Sequence, residues 1–338
     1  MRIARAIWPV VGLWVVLAAI QIFASTQSLV FQRDVVDMLI NVVLVVGLYT
    51  FAGNSGVLSF GQMSFMAVGA YATAILTIPQ IQKGFLLPDL PGFLADAHLA
   101  TFPAAIVVGL FTAAVAAVIA LPIVRLAGLA ASLAMFAVLV IVHEVARNWD
   151  AVTRGSRTMI GVPTNTTGTV ALLWAMAMIA VAFAYQRSNS GLRLRSARED
   201  EFAARAVGVD VTRERAIAFV LSGFIIGIGG FLYAQFQGAF DPNAFFTEIT
   251  FLTIAMLVIG GMKSLAGAVI GAASVSLLTN LFDSIENGLD LGPVHFGGRP
   301  GLSALLLASF FLAVLVWRRQ GLTGGRELQL RIPRRPAA

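Results

Sequence analysis

The sequence contains no cysteine, and only 12% of its 338 residues are charged. The first absence excludes disulfides, thiolate metal sites and cysteine nucleophiles. The second makes the chain about half as charged as an ordinary soluble domain, in which about 25% of residues carry a charge. With 58% hydrophobic residues and a mean hydropathy of +0.87, the chain has little polar surface to present to water. These values predict a protein whose main solvent is a lipid bilayer.

Apolar runs occupy most of the length, and a bilayer core of about 30 Å needs about 20 apolar residues in a helix. We therefore predict an all-α integral membrane protein: a polytopic helical bundle in one domain over 1–338, with about ten transmembrane spans and eight or nine as alternatives. For 54–64, and for the pair 249–262 and 265–282, the alternative is a broken or re-entrant helix. The predicted spans are 7–25, 36–53, 60–78, 102–123, 127–146, 169–186, 215–235, 249–262, 265–282 and 301–317.

The basic residues are distributed unequally between the two sets of loops. Ten spans place both termini on one side, and the loops of that side carry 17 of the 23 Lys and Arg residues, against 6 on the other side. Cytoplasmic loops carry the excess of basic residues, so we predict a multi-pass membrane protein with both termini in the cytoplasm. The tail 318–338 is then a basic cytoplasmic tail. The net charge of +6 is explained by this topology, and we predict no nucleic-acid partner.

The predicted spans contain almost no ionisable residues that could couple transport to an ion gradient. His143, Glu144 and Glu248 lie near the ends of spans, where an interfacial position explains them. Scattered histidines without a His-Glu-x-x-His pattern predict no metal site. The segment 260–264 lacks the glycines of a phosphate-binding loop and is predicted to be a tight turn. We therefore predict a protein that is not an enzyme, binds no cofactor and receives its energy from another subunit.

The loop 187–214 is the longest polar segment between spans. Ser196 followed by Glu199 has the spacing of a capping box, and Gly208 can adopt the left-handed conformation that ends a helix. This predicts a helix of about three turns at 197–207, on the cytoplasmic side. Helical spacing places Phe202, Ala203, Ala206 and Val207 on one face and Arg198, Glu201 and Arg205 on another. Insertion into a cleft of a partner and attachment to lipid headgroups are the two alternatives for this helix.

Several stretches resemble a known family. Residues 198–212, followed by 218–222, resemble the cytoplasmic loop of the bacterial branched-chain amino-acid ABC permeases, in particular the longer LivM-type subunit. Residues 55–62, 227–234 and 258–267 are similar to membrane motifs of the same family. The sequence departs from the family at Gln62, where histidine is common, and at Lys263, where a small or uncharged residue is usual.

The resemblance implies an ABC importer permease fold in a bacterial inner membrane and a set of partners. These are a second permease subunit, two ABC ATPase subunits, and a periplasmic or extracellular solute-binding protein, all assembled on the lipid bilayer. The loop helix would couple ATP hydrolysis to alternating access. The residues expected to contact the ATPase are Ser196, Arg198, Glu199, Asp200, Glu201, Phe202, Arg205, Ala206 and Gly208.

Small and uncharged polar residues cluster beside the second predicted span. They are expected either to line the translocation path or to bond to neighbouring helices. The expected solute is a branched-chain amino acid, with urea, short amides or aromatic acids as alternatives. A self-sufficient secondary carrier or channel stays open as another class, although no coupling-ion site or selectivity filter is evident. The candidate path residues are Asn54, Ser55, Ser59, Gly61, Gln62 and Ser64.

Overall fold

The computed structural model describes residues 2–126, 128–286, 290–291, 294–295, 301–318 and 321–324. Most of these residues are helical. The first helices are α1 (Arg2–Ser25), α2 (Leu29–Leu48), α3 (Met63–Thr77), α4 (Gln80–Leu86), α5 (Gly92–Ala95) and α6 (Thr101–Ile123). The next are α7 (Gly128–Asn148), α8 (Asp150–Thr153), α9 (Gly168–Arg187), α10 (Asn189–Glu199), α11 (Glu201–Ala206) and α12 (Val211–Gln237). The last are α13 (Thr247–Gly260), α14 (Leu265–Glu286) and α15 (Leu302–Trp317).

Two helices are extended by short segments of different helical type. A π-helix, Tyr49–Gly53, continues α2, and a 3₁₀ helix, Pro242–Phe245, precedes α13. The strands in the described part of the chain are the two-residue pair β1 (Asp290–Leu291) and β2 (Val294–His295), which are antiparallel.

A helix lies at each of the ten predicted spans, so the prediction of a polytopic helical bundle is confirmed. In the described residues, eight helices are long and apolar enough to cross a bilayer. A ninth span results if α3 and α4, which are bent by 120° at their junction, are counted together. The apolar part of α15, Leu302–Val314, is shorter. Most of the predicted tail 318–338 lies outside the described residues.

Helix α2 is at the centre of the bundle, with α12, α9 and α14 packed around it. Its sequence after Asn41 is apolar on every side, as expected for a helix surrounded by protein. Below it, the ring of Phe219 on α12 packs edge-to-face against Phe51 and Phe65, with centroid distances of 5.2 and 5.3 Å. These contacts connect α12 with both α3 and the π-helix.

Glycines allow α12 to approach its neighbours closely. A Cβ atom on Gly230 would lie 2.2 Å from the carbonyl oxygen of Met66 on α3, and one on Gly227 would lie 2.6 Å from the side chain of Thr112 on α6. A similar contact joins α13 and α14, because a Cβ on Gly271 would lie 2.2 Å from the carbonyl oxygen of Met256. Gly227 and Gly271, each four residues after another glycine (Gly223 and Gly267), therefore form helix-packing contacts.

Contacts between loop residues are found at two ends of the bundle. At one end, Lys263 lies 3.7 Å from Glu199, and the hydroxyl of Thr323 donates to the carbonyl of Gly260. At the other end, Met159 and Phe240 form an isolated antiparallel bridge. The first end, which also holds α10 and α11, is called the loop end below.

The glycine contact of α12 yields a matched pair of variants. Gly230→Ala should destabilise the protein by about 1–3 kcal/mol, because the new methyl group meets a backbone atom that cannot rotate away. Gly12→Ala should be neutral or stabilising, since nothing lies within 4 Å of a Cβ at that helical position and alanine favours helix over glycine. Thermal unfolding of both purified variants in detergent measures this difference, and equal midpoints would contradict the packing shown here.

Candidate functional site

The predicted helix 197–207 is two helices in the structure, joined at Asp200. α10 ends directly before this residue and α11 begins directly after it. Ser196, predicted to be the N-cap, lies inside α10, where its hydroxyl donates to the carbonyl oxygen of Arg193 at 2.7 Å. The predicted capping box between Ser196 and Glu199 is therefore wrong. Serine inside a helix commonly bonds to a carbonyl one turn earlier.

The true N-cap of α11 is Asp200. Its backbone is extended, with φ −151° and ψ 108°, and its carboxylate accepts a hydrogen bond from the amide of Ala203 at 3.0 Å. Aspartate is as good an N-cap as serine, so the local sequence offers two starting points. The bend at Asp200 lets Ala197 of α10 and Ala204 of α11 share one buried apolar cluster with Val211 of α12. This tertiary packing accompanies the choice of Asp200.

One face of α11 is exposed. The side chain of Phe202 is 88% exposed and that of Val207 is 80% exposed, and Ala203 and Ala206 are exposed beside them. The prediction that these four residues share a face is confirmed. Gly208, with φ +86°, ends the segment in the left-handed conformation as predicted.

The opposite side of α11 is attached to α12 through charges. One Glu201 oxygen lies 2.7 Å from the guanidinium of the buried Arg215, and the other lies 2.8 Å from that of Arg205. Partial burial would raise the pKa of Glu201, but hydrogen bonds and charges from these two arginines outweigh it and lower the pKa. The predicted pairing of Glu201 with Arg205 on one face is thus confirmed. Arg198, predicted for the same face, is not there.

Arg198 points into the bundle instead. Its guanidinium donates to the carbonyl oxygen of Gly53 at 2.6 Å and to the carboxylate of Glu199 at 2.8 Å. That hydrogen bond and the charge of Arg198, followed by the charge of Lys263, lower the pKa of Glu199. A Cβ on Gly56 would lie 2.6 Å from the Arg198 side chain, so glycine at this position leaves room for the arginine. Arg198 therefore connects the loop segment to the end of α2.

Helix α2 is interrupted where Arg198 reaches it. The π-helix at its end brings the ring of Tyr49 so close to Gly53 that a Cβ there would lie 2.3 Å from a ring carbon. The carbonyl oxygen of Met262, in the turn between α13 and α14, would be 2.8 Å from the same Cβ. Residues 56–62 are then not helical, and α3 begins after them. π-Helical segments are rare and frequently lie at functional sites.

The candidate path residues surround this interruption, and all of them are buried. Three have local hydrogen-bond partners: Asn54 donates to the carbonyl of Thr50 at 3.0 Å, Ser55 accepts from an amide two residues later, and Ser64 donates to a carbonyl three residues earlier. The other side chains differ, because the hydroxyl of Ser59 and both amide atoms of Gln62 have no partner among the described residues. The six are Asn54, Ser55, Ser59, Gly61, Gln62 and Ser64.

Sequence comparison identifies the family of this helical bundle. Residues 35–316 match the family described as the permease component of branched-chain amino acid transport systems. This match covers most of the chain. The chain belongs to that permease family.

Individual relatives of this permease are named for different solutes. The high-affinity branched-chain amino acid transport system permease protein LivM is 25% identical in both Salmonella typhimurium and Escherichia coli, over 94% of this chain and 76% of each relative. LivH of Escherichia coli is 31% identical over 30% of this chain. The xylose transport system permease protein XylH of Escherichia coli is 29% identical over 46% of this chain and 37% of its own length. No solved structure matches the chain.

Asp37 lies inside the predicted span 36–53 and is not among the candidate site residues expected from the sequence. Asn41, one turn later on α2, donates to the Asp37 carboxylate at 3.0 Å and lies 3.1 Å from the hydroxyl of Ser276 on α14. A carboxylate inside an otherwise apolar run is the signal that could have found this cluster, since ionisable residues in membrane helices are rare and usually paired. Ser276 is the twelfth of the 22 residues of α14, so the cluster lies inside the bundle and not at its end.

His143 of this permease packs against the segment that precedes α13. Its ring stacks on Phe246 with a centroid distance of 4.0 Å, and its Nδ1 lies 3.2 Å from the carbonyl oxygen of Pro242. Glu144 is next to it and is exposed. The part of the chain that the structure describes contains no group of three or more histidine, aspartate or glutamate side chains arranged to hold a metal ion.

The attachment of α11 to α12 gives a stability prediction. Glu201→Gln should cost about 1–3 kcal/mol, because it leaves the buried Arg215 without its carboxylate partner. Glu144→Gln is the matched control, since the pair of Glu144 with Arg147 at 4.0 Å is exposed and such pairs contribute about 0–1 kcal/mol. Thermal unfolding of both purified variants measures the difference, and a silent Glu201→Gln variant would contradict a stabilising role for the pair.

The pH dependence of the same pair has a defined sign. The folded-state pKa of Glu201 is lowered, so the unfolded chain binds the proton more tightly. The stabilisation by Glu201 is complete above its ordinary pKa of about 4.3 and is lost as the pH falls through the lower folded-state value. The stability gap between wild type and Glu201→Gln should therefore be largest near neutral pH and close on acidification. A gap that widens below about pH 4 would contradict this sign.

Proposed function

We propose that this permease is the membrane-spanning subunit of an ATP-binding cassette importer. It moves branched-chain amino acids, or a related small solute, across the bacterial inner membrane by alternating access, with both termini in the cytoplasm. Its partners are a second permease subunit, two ABC ATPases and a solute-binding protein outside the membrane. The family and the LivM and LivH relatives support the transport role, and the excess of basic residues at the loop end supports the orientation.

The observation that carries this proposal is the exposed face of α11. Phe202 and Val207 are large apolar residues that are more exposed than most of the bundle surface, and they lie at the end where 17 basic residues are expected rather than in a predicted span. An exposed aromatic residue surrounded by alanines on a rigid, capped helix is suited to fill a cleft of a partner. We assign this face to the ATPase.

Mechanical coupling between the ATPase and the membrane helices starts at α10 and α11. Glu201 bonds to Arg215 at the start of α12, and Arg198 bonds to the carbonyl of Gly53 at the interruption of α2. A displacement of α10 and α11 therefore acts directly on both helices. In this mechanism, ATP-driven closure of the ATPase pair moves α10 and α11 as a rigid body. This movement changes the side of the membrane to which the translocation path is open.

The relative named for xylose shows that permeases similar to this one are not restricted to one solute class. Urea, short amides and aromatic acids therefore stay as alternative solutes. The path side chains carry no formal charge, so charge alone does not select among these solutes.

The coupling role predicts that substituting two residues of the α10–α11 segment uncouples ATP hydrolysis from uptake. In the complete importer reconstituted in vesicles, Phe202→Ala combined with Glu199→Arg should reduce ATP-driven leucine uptake at least about tenfold while ATP hydrolysis continues. The permease should insert and assemble as before. Phe85→Ala is the matched control, because Phe85 is 85% exposed on α4, away from the loop end, and should leave uptake unchanged.

Two results would overturn the proposal. Wild-type uptake by the double variant would show that α11 does not couple ATP hydrolysis to transport. Uphill accumulation of solute by the permease alone, in sealed vesicles without any ATPase, would show that the chain is a self-sufficient carrier.

A further inference from the structure

Helix α3 begins inside the bundle and not at its end. Before it, the hydroxyl of Ser132 on α7 donates to the carbonyl of Leu58 at 2.7 Å. Gly61 lies against the same helix, so that a Cβ there would be 2.1 Å from the carbonyl oxygen of Met135. Met135 is the eighth residue of α7, which places this contact about 10 Å from the start of that helix at 1.5 Å per residue.

The same stretch also contacts α13, which runs in from the other end. The ring centroid of Phe60 is 6.0 Å from that of Phe251, the fifth residue of α13. Residues 56–62 are therefore non-helical backbone between two membrane helices. Such backbone is tolerated at membrane depth only where protein surrounds it or where it lines a polar cavity.

The N-terminus of α3 has no cap. The amides of Ser64 and Phe65 donate back to the carbonyls of Gly61 and Gln62, each at 3.1 Å. The amides of Gly61, Gln62 and Met63 have no acceptor among the described residues. The first turn contains no acidic residue, so nothing on the helix itself balances the partial positive charge of its N-terminus.

Two fully buried side chains at this N-terminus also have no partner. Ser59 and Gln62 are each 1% exposed, and neither the serine hydroxyl nor the glutamine amide forms a hydrogen bond with any described group. Buried polar atoms almost always have partners, and an exception of this kind requires an explanation. Leaving three such atoms unpaired beside three unpaired amides disfavours this arrangement unless water or a ligand binds there.

We infer that the N-terminus of α3, together with Ser59 and Gln62, binds the carboxylate of the solute during its passage. The unpaired backbone amides, the hydroxyl and the Gln62 amide nitrogen can all donate, and an ionised carboxylate only accepts. A helix N-terminus at membrane depth adds a favourable potential for an anion. The site has no formal positive charge, so it can release the solute again. This inference rests on the proposed function, and it selects carboxylate solutes over urea and amides.

The first test measures the sign of the local potential and needs no knowledge of transport. Because the chain has no cysteine, Ser59→Cys introduces its only thiol. In membrane vesicles containing the full importer, this thiol should react several-fold faster with methanethiosulfonate ethylsulfonate, which is anionic, than with the cationic ethyltrimethylammonium reagent. Both rates are normalised to those of mercaptoethanol, and Gln235→Cys, another buried position without a partner, should show no such preference.

The reaction at Ser59→Cys should also be slowed by millimolar leucine and not by leucinamide, which lacks the carboxylate. Equal rates with the two reagents, a cationic preference, or a thiol that stays unreactive with and without ATP would each overturn the inference. The comparison of the anionic and cationic reagents does not depend on whether leucine is transported. An importer that accumulates no leucine but keeps the anionic preference would therefore refute the proposed solute and leave the site intact.

The second test changes the charge at Gln62 and measures uptake of labelled leucine by the full importer. Gln62→Leu should reduce uptake about tenfold, because a donor to the carboxylate is lost. Gln62→Glu should reduce uptake at least tenfold more, because the new carboxylate itself occupies the site. A carboxylate is compatible with a helix N-terminus, so α3 should still form. Gln235→Leu, on α12, is the matched control and should retain uptake. Uptake by Gln62→Glu equal to or above that of Gln62→Leu would overturn the inference.

Discussion

At membrane depth lipid offers no hydrogen bonds, so a backbone amide or carbonyl needs a partner from the protein, from water in a cavity or from a bound molecule. This requirement governs the region where α2 ends and α3 begins, because residues 56–62 leave the helical pattern between membrane helices. Two side chains from elsewhere satisfy carbonyls there. Arg198 donates to Gly53, 145 residues away, and Ser132 of α7 donates to Leu58. The surrounding helices are therefore arranged around an interruption that lipid could not tolerate.

The same requirement joins the loop segment to the membrane helices. Arg198 satisfies the carbonyl at the end of the π-helix from a position on α10, and Arg215 on α12 bonds to Glu201 at the start of α11. The face of α11 that carries Phe202 is turned away from both contacts and is exposed. A partner that binds this face thus holds a segment with two charged links to the bundle, which is the mechanical basis of the proposed coupling.

Helix α3 is closely packed along the side that faces α12, whereas polar groups at its N-terminus have no partners. Toward α12, Gly69 and Gly230 bring backbones into contact, with space for hydrogen only. At its N-terminus, Gln62 and Ser59 are buried without partners. Glycine contacts make one side rigid, because any side chain there would collide with a neighbouring backbone. The uncapped end is where a solute can supply the missing hydrogen bonds, and this contrast motivates the carboxylate site.

Much of the architecture follows from the sequence because long apolar runs have few alternatives in lipid. The helices lie at the predicted spans, the segment 260–264 forms a turn, and Gly208 adopts the left-handed conformation. The shared face of Phe202 and Val207 also follows from helical spacing alone. All of these depend on local geometry or on hydrophobicity, both of which can be read directly from neighbouring residues.

The tertiary structure decided the features in which local alternatives have nearly equal energy or in which distant residues meet. Ser196 and Asp200 are comparable caps, and the apolar cluster of Ala197, Ala204 and Val211 accompanies the selection of Asp200. Arg198 fits a solvent-facing stripe equally well by spacing, yet its partner is the carbonyl of Gly53. The lack of partners at Gln62 is likewise visible only once its neighbours are placed. Hydrogen bonds across more than a hundred residues have no signature in the sequence, because they depend on which helices pack together.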